Sequence, residues 1–192
     1  MTQETTPQRI STRPTHWLLL AGVVAVTLIL DQITKAAVVA NLSLYEDWTP
    51  IPALAEFFQI TYTRNTGAAF GLFPTASNVF LVVAVIASGV IIYYYRQIRG
   101  NAWLLRIGMG MMMGGALGNA LDRITRGYVV DFLHVFYEPI GFNYPVFNLA
   151  DSGIVIGVFL LILLLGRHIE VDDKEENAAT DSEAPPPDYS SQ

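Results

Sequence analysis

The sequence predicts a membrane-embedded α-helical protein, a bundle of four transmembrane helices carrying a small β-sheet on its outer side. Composition is the first observation behind this: of 192 residues 52% are hydrophobic and only 15% charged, with mean hydropathy +0.40, whereas a soluble domain carries about a quarter charged residues. The second is a set of four apolar stretches, residues 17–39, 79–95, 103–121 and 149–165, each close to the roughly 20 residues that a helix needs to cross the hydrocarbon layer. The third is a pair of longer, patterned segments between them, residues 41–78 and 122–148, too long to be simple connectors. The length suits one domain and excludes a repeat array or a large barrel.

The first stretch ends in Asp31, Gln32 and Lys35 where a signal peptide would show small cleavage-site residues, so it reads as a retained span. The segment after it holds residues 57–62, rich in aromatic and β-branched side chains with partial alternation, which predicts a strand; Gly67 and Gly71 punctuate the residues beyond it. In the third stretch Gly108, Gly110, Gly114, Gly115 and Gly118 predict close helix packing and leave room for a lipid chain. The fourth opens at Asn148 with Asp151 three residues on, the pattern of a capping box.

Lys and Arg resist translocation, so their distribution orients the spans. Arg9, Arg13, Arg96, Arg99, Arg106, Arg167 and Lys174 fall on one side against Lys35, Arg64, Arg123 and Arg126 on the other. Both termini are therefore expected in the cytoplasm. The chain divides into a cytoplasmic segment 1–16, a four-span domain 17–166 and an acidic tail 167–192. From residue 170 onward the tail holds eight acids against Lys174, and with Pro185, Pro186 and Pro187 it is expected to be disordered. The rest of the chain carries a net charge of about +1, with no basic stripe for nucleic acid. The absence of cysteine excludes disulfides, thiolate metal sites and a Cys nucleophile.

A charge at membrane depth costs at least a few kcal/mol, so intramembrane carboxyls are paired, enclosed or chemically active. Four aspartates qualify. Asp31 has Lys35 one turn on, and Asp122 has Arg123 beside it and Arg126 close by. Asp131 and Asp151 have no cation within four residues, which makes them the candidates for proton chemistry. The rival readings are a surface acid ending a short strand for Asp131, a helix cap for Asp151, and a tethering ion pair for Asp31 with Lys35. Two carboxyls that share a proton supply both an acid and a base, enough to hydrolyse a peptide without a metal or a covalent intermediate. His16, His134 and His168 form no zinc-binding pattern, and no Ser sits in a nucleophile elbow.

These residues resemble the lipoprotein signal peptidases of bacteria, the signal peptidase II family, over about residues 17–166. The likeness rests on five blocks in order: Asp31-Gln32-Ile33-Thr34-Lys35; Asn65-Thr66-Gly67-Ala68-Ala69-Phe70-Gly71; Gly114-Gly115-Ala116-Leu117-Gly118-Asn119-Ala120-Leu121-Asp122-Arg123; Gly127-Tyr128-Val129-Val130-Asp131-Phe132; and Phe147-Asn148-Leu149-Ala150-Asp151-Ser152. The resemblance implies an inner-membrane aspartyl endopeptidase that removes signal peptides from diacylglyceryl-modified prolipoproteins, just before the lipidated cysteine. It implies Asp131 and Asp151 as the catalytic pair, supported by Asp31, Lys35, Asn65, Gly67, Asn119, Asp122, Arg123, Asn148 and Ala150. It further implies an outer β-sheet cradle, a short periplasmic helix near residues 68–73, an active site at the outer leaflet, no metal or cofactor, and a monomer whose partners are the prolipoprotein and membrane lipid. An ion transporter would also bury carboxyls, yet the chain lacks the internal repeat that such proteins carry. A non-enzymatic scaffold would hold the aspartates only as structural pairs.

Overall fold

A computed structural model describes residues 14–67, 76–98, 100 and 102–164. Among the described residues four α-helices carry the fold: α1 (Pro14–Asn41), α2 (Ala76–Tyr95), α3 (Trp103–Arg126) and α4 (Leu149–Leu164). With 28 residues, α1 extends roughly 42 Å at 1.5 Å per residue, and it is the one described helix that is long and apolar enough by itself to cross a membrane.

The bundle is apolar outside and charged inside. Val85 is 71% exposed and Ile162 66%, while Asp31, Lys35, Arg106, Asp122 and Asn148 are buried. Water would reverse that arrangement; lipid permits it. The third helix is central and packs against both α1 and α2. Its glycines give the close helix packing that their spacing predicts. A Cβ at Gly114 would meet Thr27 of α1 at 2.8 Å, one at Gly118 would meet Asp31 Oδ2 at 2.6 Å, and one at Gly115 would run into the Ala150 carbonyl of α4. At the cytoplasmic-side end proposed from charge, Leu20, Ile91, Tyr95 and Met109 form an apolar core. Arg106, expected as a flanking charge, is instead buried there: it donates to Ile98 O at 2.8 Å and lies 4.9 Å from the Tyr95 ring centre.

Four antiparallel strands form one sheet in the order β1 (Asp47–Trp48), β2 (Phe58–Asn65), β3 (Val129–Tyr137), β4 (Phe142–Asn143). Tyr62, Val130 and Phe132 of the sheet pack on Val38 near the C-terminal end of α1, which seats the sheet on the bundle. Gly127, at φ 79, lets the chain leave α3 and enter β3 two residues later. The strand expected at 57–62 is thus β2, extended to Asn65. The third helix runs past residue 121 to Arg126 because the charges that interrupt its apolar stretch are neutralised by partners. The short helix expected near residues 68–73 lies outside the described residues.

Candidate active site

Register places the first carboxyl. In the β2–β3 ladder Asn65 opposes Val129 and Thr63 opposes Asp131, so Asn65 and Asp131 are diagonal neighbours on one face. Asn65 Nδ2 donates to Asp131 Oδ2 at 2.9 Å. Asp131 therefore lies within a strand and is only 2% exposed, which removes the surface-acid reading. Burial pushes its carboxyl up to about 6, against the pull of the Asn65 hydrogen bond and with the Asp151 charge adding to the rise.

Helix capping places the second. Asp151 N–H donates to Asn148 Oδ1 at 2.9 Å, and the Asn148 N–H returns to Asp151 Oδ2 at 3.3 Å. This is the reciprocal pair of a capping box, with Asn148 as N-cap. The cap does not exhaust either side chain. Asn148 Nδ2 donates to Asp131 Oδ1 at 2.6 Å and to Asn119 Oδ1 at 3.1 Å, and Asn119 Nδ2 donates to Asp151 Oδ1 at 2.7 Å. Two asparagines thus join the carboxyls of β3 and α4.

Behind them lies a second layer of charge. Lys35, wholly buried, pairs with Asp31 at 2.9 Å and Asp122 at 3.0 Å and donates to Asn119 Oδ1 at 2.9 Å. Asp122 also pairs with Arg126 and accepts from Val130 N–H at 3.1 Å. Asp31 Oδ1 accepts from Ala150 N–H at 3.0 Å, tying α1 to the start of α4. The expected pairing of Asp122 with Arg123 does not form, since consecutive helical residues face different directions. Arg123 instead donates to Asn119 O at 3.1 Å and lies 4.6 Å from the Phe80 ring centre, with its charge in reach of Asp151, Asp131 and Asp122. Gly67, at φ 73, donates its N–H to Asn65 Oδ1 at 2.9 Å, and a Cβ there would strike the Phe80 ring at 2.6 Å.

All eleven residues expected at the site lie in or directly around this network. Two more belong to it that sequence reasoning misses. Gln32 donates to Asp31, Asp122 and the Gly118 carbonyl at 3.1–3.2 Å, and Phe80 flanks both Arg123 and Gly67. Gln32 is visible in the sequence as an amide at membrane depth. Phe80 carries no signal in an apolar run.

Fold and site define a class: a helical enzyme of the membrane whose polar centre consists of buried and half-buried carboxyls held by amides. The sequence model of the family "Signal peptidase (SPase) II" matches residues 23–166. A lipoprotein signal peptidase of Halothermothrix orenii is 40% identical over 151 residues, covering 79% of this chain and 97% of that one. That of Bacillus subtilis is 42% identical over 134 residues, covering 69% and 83%. Two solved structures, described as a bacterial membrane enzyme determined by the in meso method at 2.3 and 1.9 Å, are similar with TM-scores of 0.65 and 0.66 and identities of 31% and 32%. They cover 80% and 79% of this chain, and 88% and 92% of their own length is matched. The chain belongs to the signal peptidase II family, and with it to the aspartic peptidases of the membrane.

Proposed function

We propose that the chain cleaves the signal peptide from diacylglyceryl-modified prolipoproteins immediately before the lipidated cysteine, with Asp131 and Asp151 as its catalytic pair. The observation that carries this is the convergence of the two carboxyls on Asn148 and Asn119. Asp131, whose carboxyl is lifted toward neutrality by burial, holds the shared proton and hydrogen-bonds the scissile carbonyl oxygen. Asp151 takes a proton from water as its oxygen attacks the carbonyl carbon. Asp131 passes its proton to the carbonyl oxygen as the tetrahedral diol forms. On collapse the C–N bond breaks, Asp151 delivers the proton it took from water to the leaving nitrogen, and a diol hydroxyl returns its proton to Asp131, giving a carboxyl and a free amine. Stabilising charge as it develops on the carbonyl oxygen is worth roughly 3–4 kcal/mol per donor where it has been measured. Asn65 and Asn148 keep the Asp131 carboxyl aimed, while Arg123 supplies positive charge at the edge.

The four helices are four spans, with the segments before α1 and after α4 in the cytoplasm and the site at the outer leaflet of the inner membrane. The peptidase domain occupies residues 17–166 and acts as a monomer, without nucleic acid; the acidic tail is dispensable for turnover. A groove of about 610 Å³ between α1, α3 and α4, lined by Leu18, Gly22, Val26, Met111 and Ile156, reaches Leu149 and Ser152 beside Asp151. It supports an acyl-bearing substrate, since each buried methylene contributes about 0.8 kcal/mol. The test is cleavage by the purified chain of a diacylglyceryl-prolipoprotein and of the same polypeptide without the lipid. The unlipidated substrate should turn over at least about a hundredfold more slowly, a difference that lipid anchoring and positioning can supply. Equal rates would overturn the reading.

A further inference from the structure

The ammonium of Lys35 has three protons to place in a site that water does not reach. Two meet carboxylates, those of Asp31 and Asp122. With Arg126 also on Asp122, two cations already balance two anions in this cluster. The third proton goes to a neutral acceptor, Asn119 Oδ1 at 2.9 Å, so its consequence lies in the amide. That same oxygen accepts from Asn148 Nδ2 at 3.1 Å, and the arrangement turns Asn119 Nδ2 onto Asp151 Oδ1 at 2.7 Å. A reversed amide would face its NH2 toward two donors, one of them a cation, and its oxygen toward a carboxylate. Two of the groups left mismatched, the Lys35 ammonium and the Asn148 amide, are wholly buried, where unmade hydrogen bonds are most costly, and the other two, Asn119 and Asp151, are half-buried.

We propose that Lys35 is a positioning residue for the catalytic pair: through Asn119 it locks that amide as a permanent donor to Asp151, fixing the angle at which this carboxylate meets water. The inference rests on Asp131 and Asp151 being the pair. The charged groups around Asn119 are Lys35 and Asp31 from α1, Asp122, Arg123 and Arg126 from α3, Asp131 from β3 and Asp151 from α4; α2 contributes no charge between residues 76 and 95.

Two variants of the full chain test it. In N119D the introduced carboxyl still accepts from Lys35 and Asn148 but can donate to Asp151 only while protonated. Turnover should therefore fall with rising pH: the ratio of kcat at pH 5 to kcat at pH 7.5 should exceed the wild-type ratio about tenfold, with KM within about threefold, because a group acting only in the transition state moves kcat. A structural defect alone would lower kcat evenly across pH. The second comparison is K35M/D31N against D31N. Both lack the Asp31 charge, and the double variant keeps the cluster neutral, with Asp122 still paired to Arg126. It should turn over at least about tenfold more slowly than D31N at similar KM. The proposal is overturned if N119D keeps the wild-type pH profile, or if a folded K35M/D31N matches D31N. If K35M/D31N does not fold, the N119D profile decides. Near-normal turnover in D131N or D151N would instead remove the pair itself, a different failure with a different signature.

Discussion

Asp131 accepts hydrogen bonds from two amides, each of which favours the ionised carboxyl, yet burial outweighs both. The folded chain therefore keeps a proton that the unfolded chain releases between pH 3.8 and about 6. Stability from this group is fully present below pH 3.8 and is lost as pH rises through about 6; the difference amounts to about 3 kcal/mol at most. D131N carries no such titration. Thermal melts of both proteins in one detergent at pH 4 and pH 7 should show the variant gaining on the wild type by several degrees as pH rises. A gap that stays constant across that range would mean that burial does not govern this carboxyl.

Close helix approach is the counterpart at the level of elements. The glycine face of α3 admits α1 and α4 together, and Gly118 does so directly against the Asp31 carboxylate, which Lys35, Gln32 and Ala150 hold from other sides. G118A should cost about 1–3 kcal/mol through overpacking, read as a lower melting temperature. G22A, where an added Cβ meets nothing within 4 Å, should change it little. Equal melting temperatures for the two would show that α3 can shift to make room. Such contacts explain how much of the fold is legible in the sequence. Helices α1, α2 and α4 are legible because each is a long run of mostly apolar residues, and the Asn148–Asp151 cap is legible because its members are three residues apart. The extension of α3 to Arg126 is not, because it depends on Lys35, distant in sequence, neutralising Asp122. Arg123 is read with its neighbour Asp122 for a different reason: adjacency in sequence is not adjacency on a helix, where Arg123 reaches back one turn to the Asn119 carbonyl. Of strand β3 only the start is legible, in the reading of Asp131 as the end of a short strand; its run on to Tyr137 depends on pairing with β2.

Across the whole molecule, orientation and chemistry depend on each other, because carboxyls at the sheet end of the bundle are useful only on the side where lipidated substrate is processed. Reporter fusions after Gln97 and after Arg167 should report cytoplasm, and one at Glu46 the outer side; a cytoplasmic signal from Glu46 would place the sheet on the wrong face. The proposed mechanism requires that Asp131 and Asp151 act as one unit. Its most direct test is turnover of diacylglyceryl-prolipoprotein by purified D131N, D151N and the double variant, with chelator present throughout. Each single variant should lose at least about a thousandfold in kcat and the double variant little more, because residues acting as a unit are not additive. Near-normal turnover in either single variant, losses that multiply in the double, or a wild-type activity abolished by chelator would contradict it.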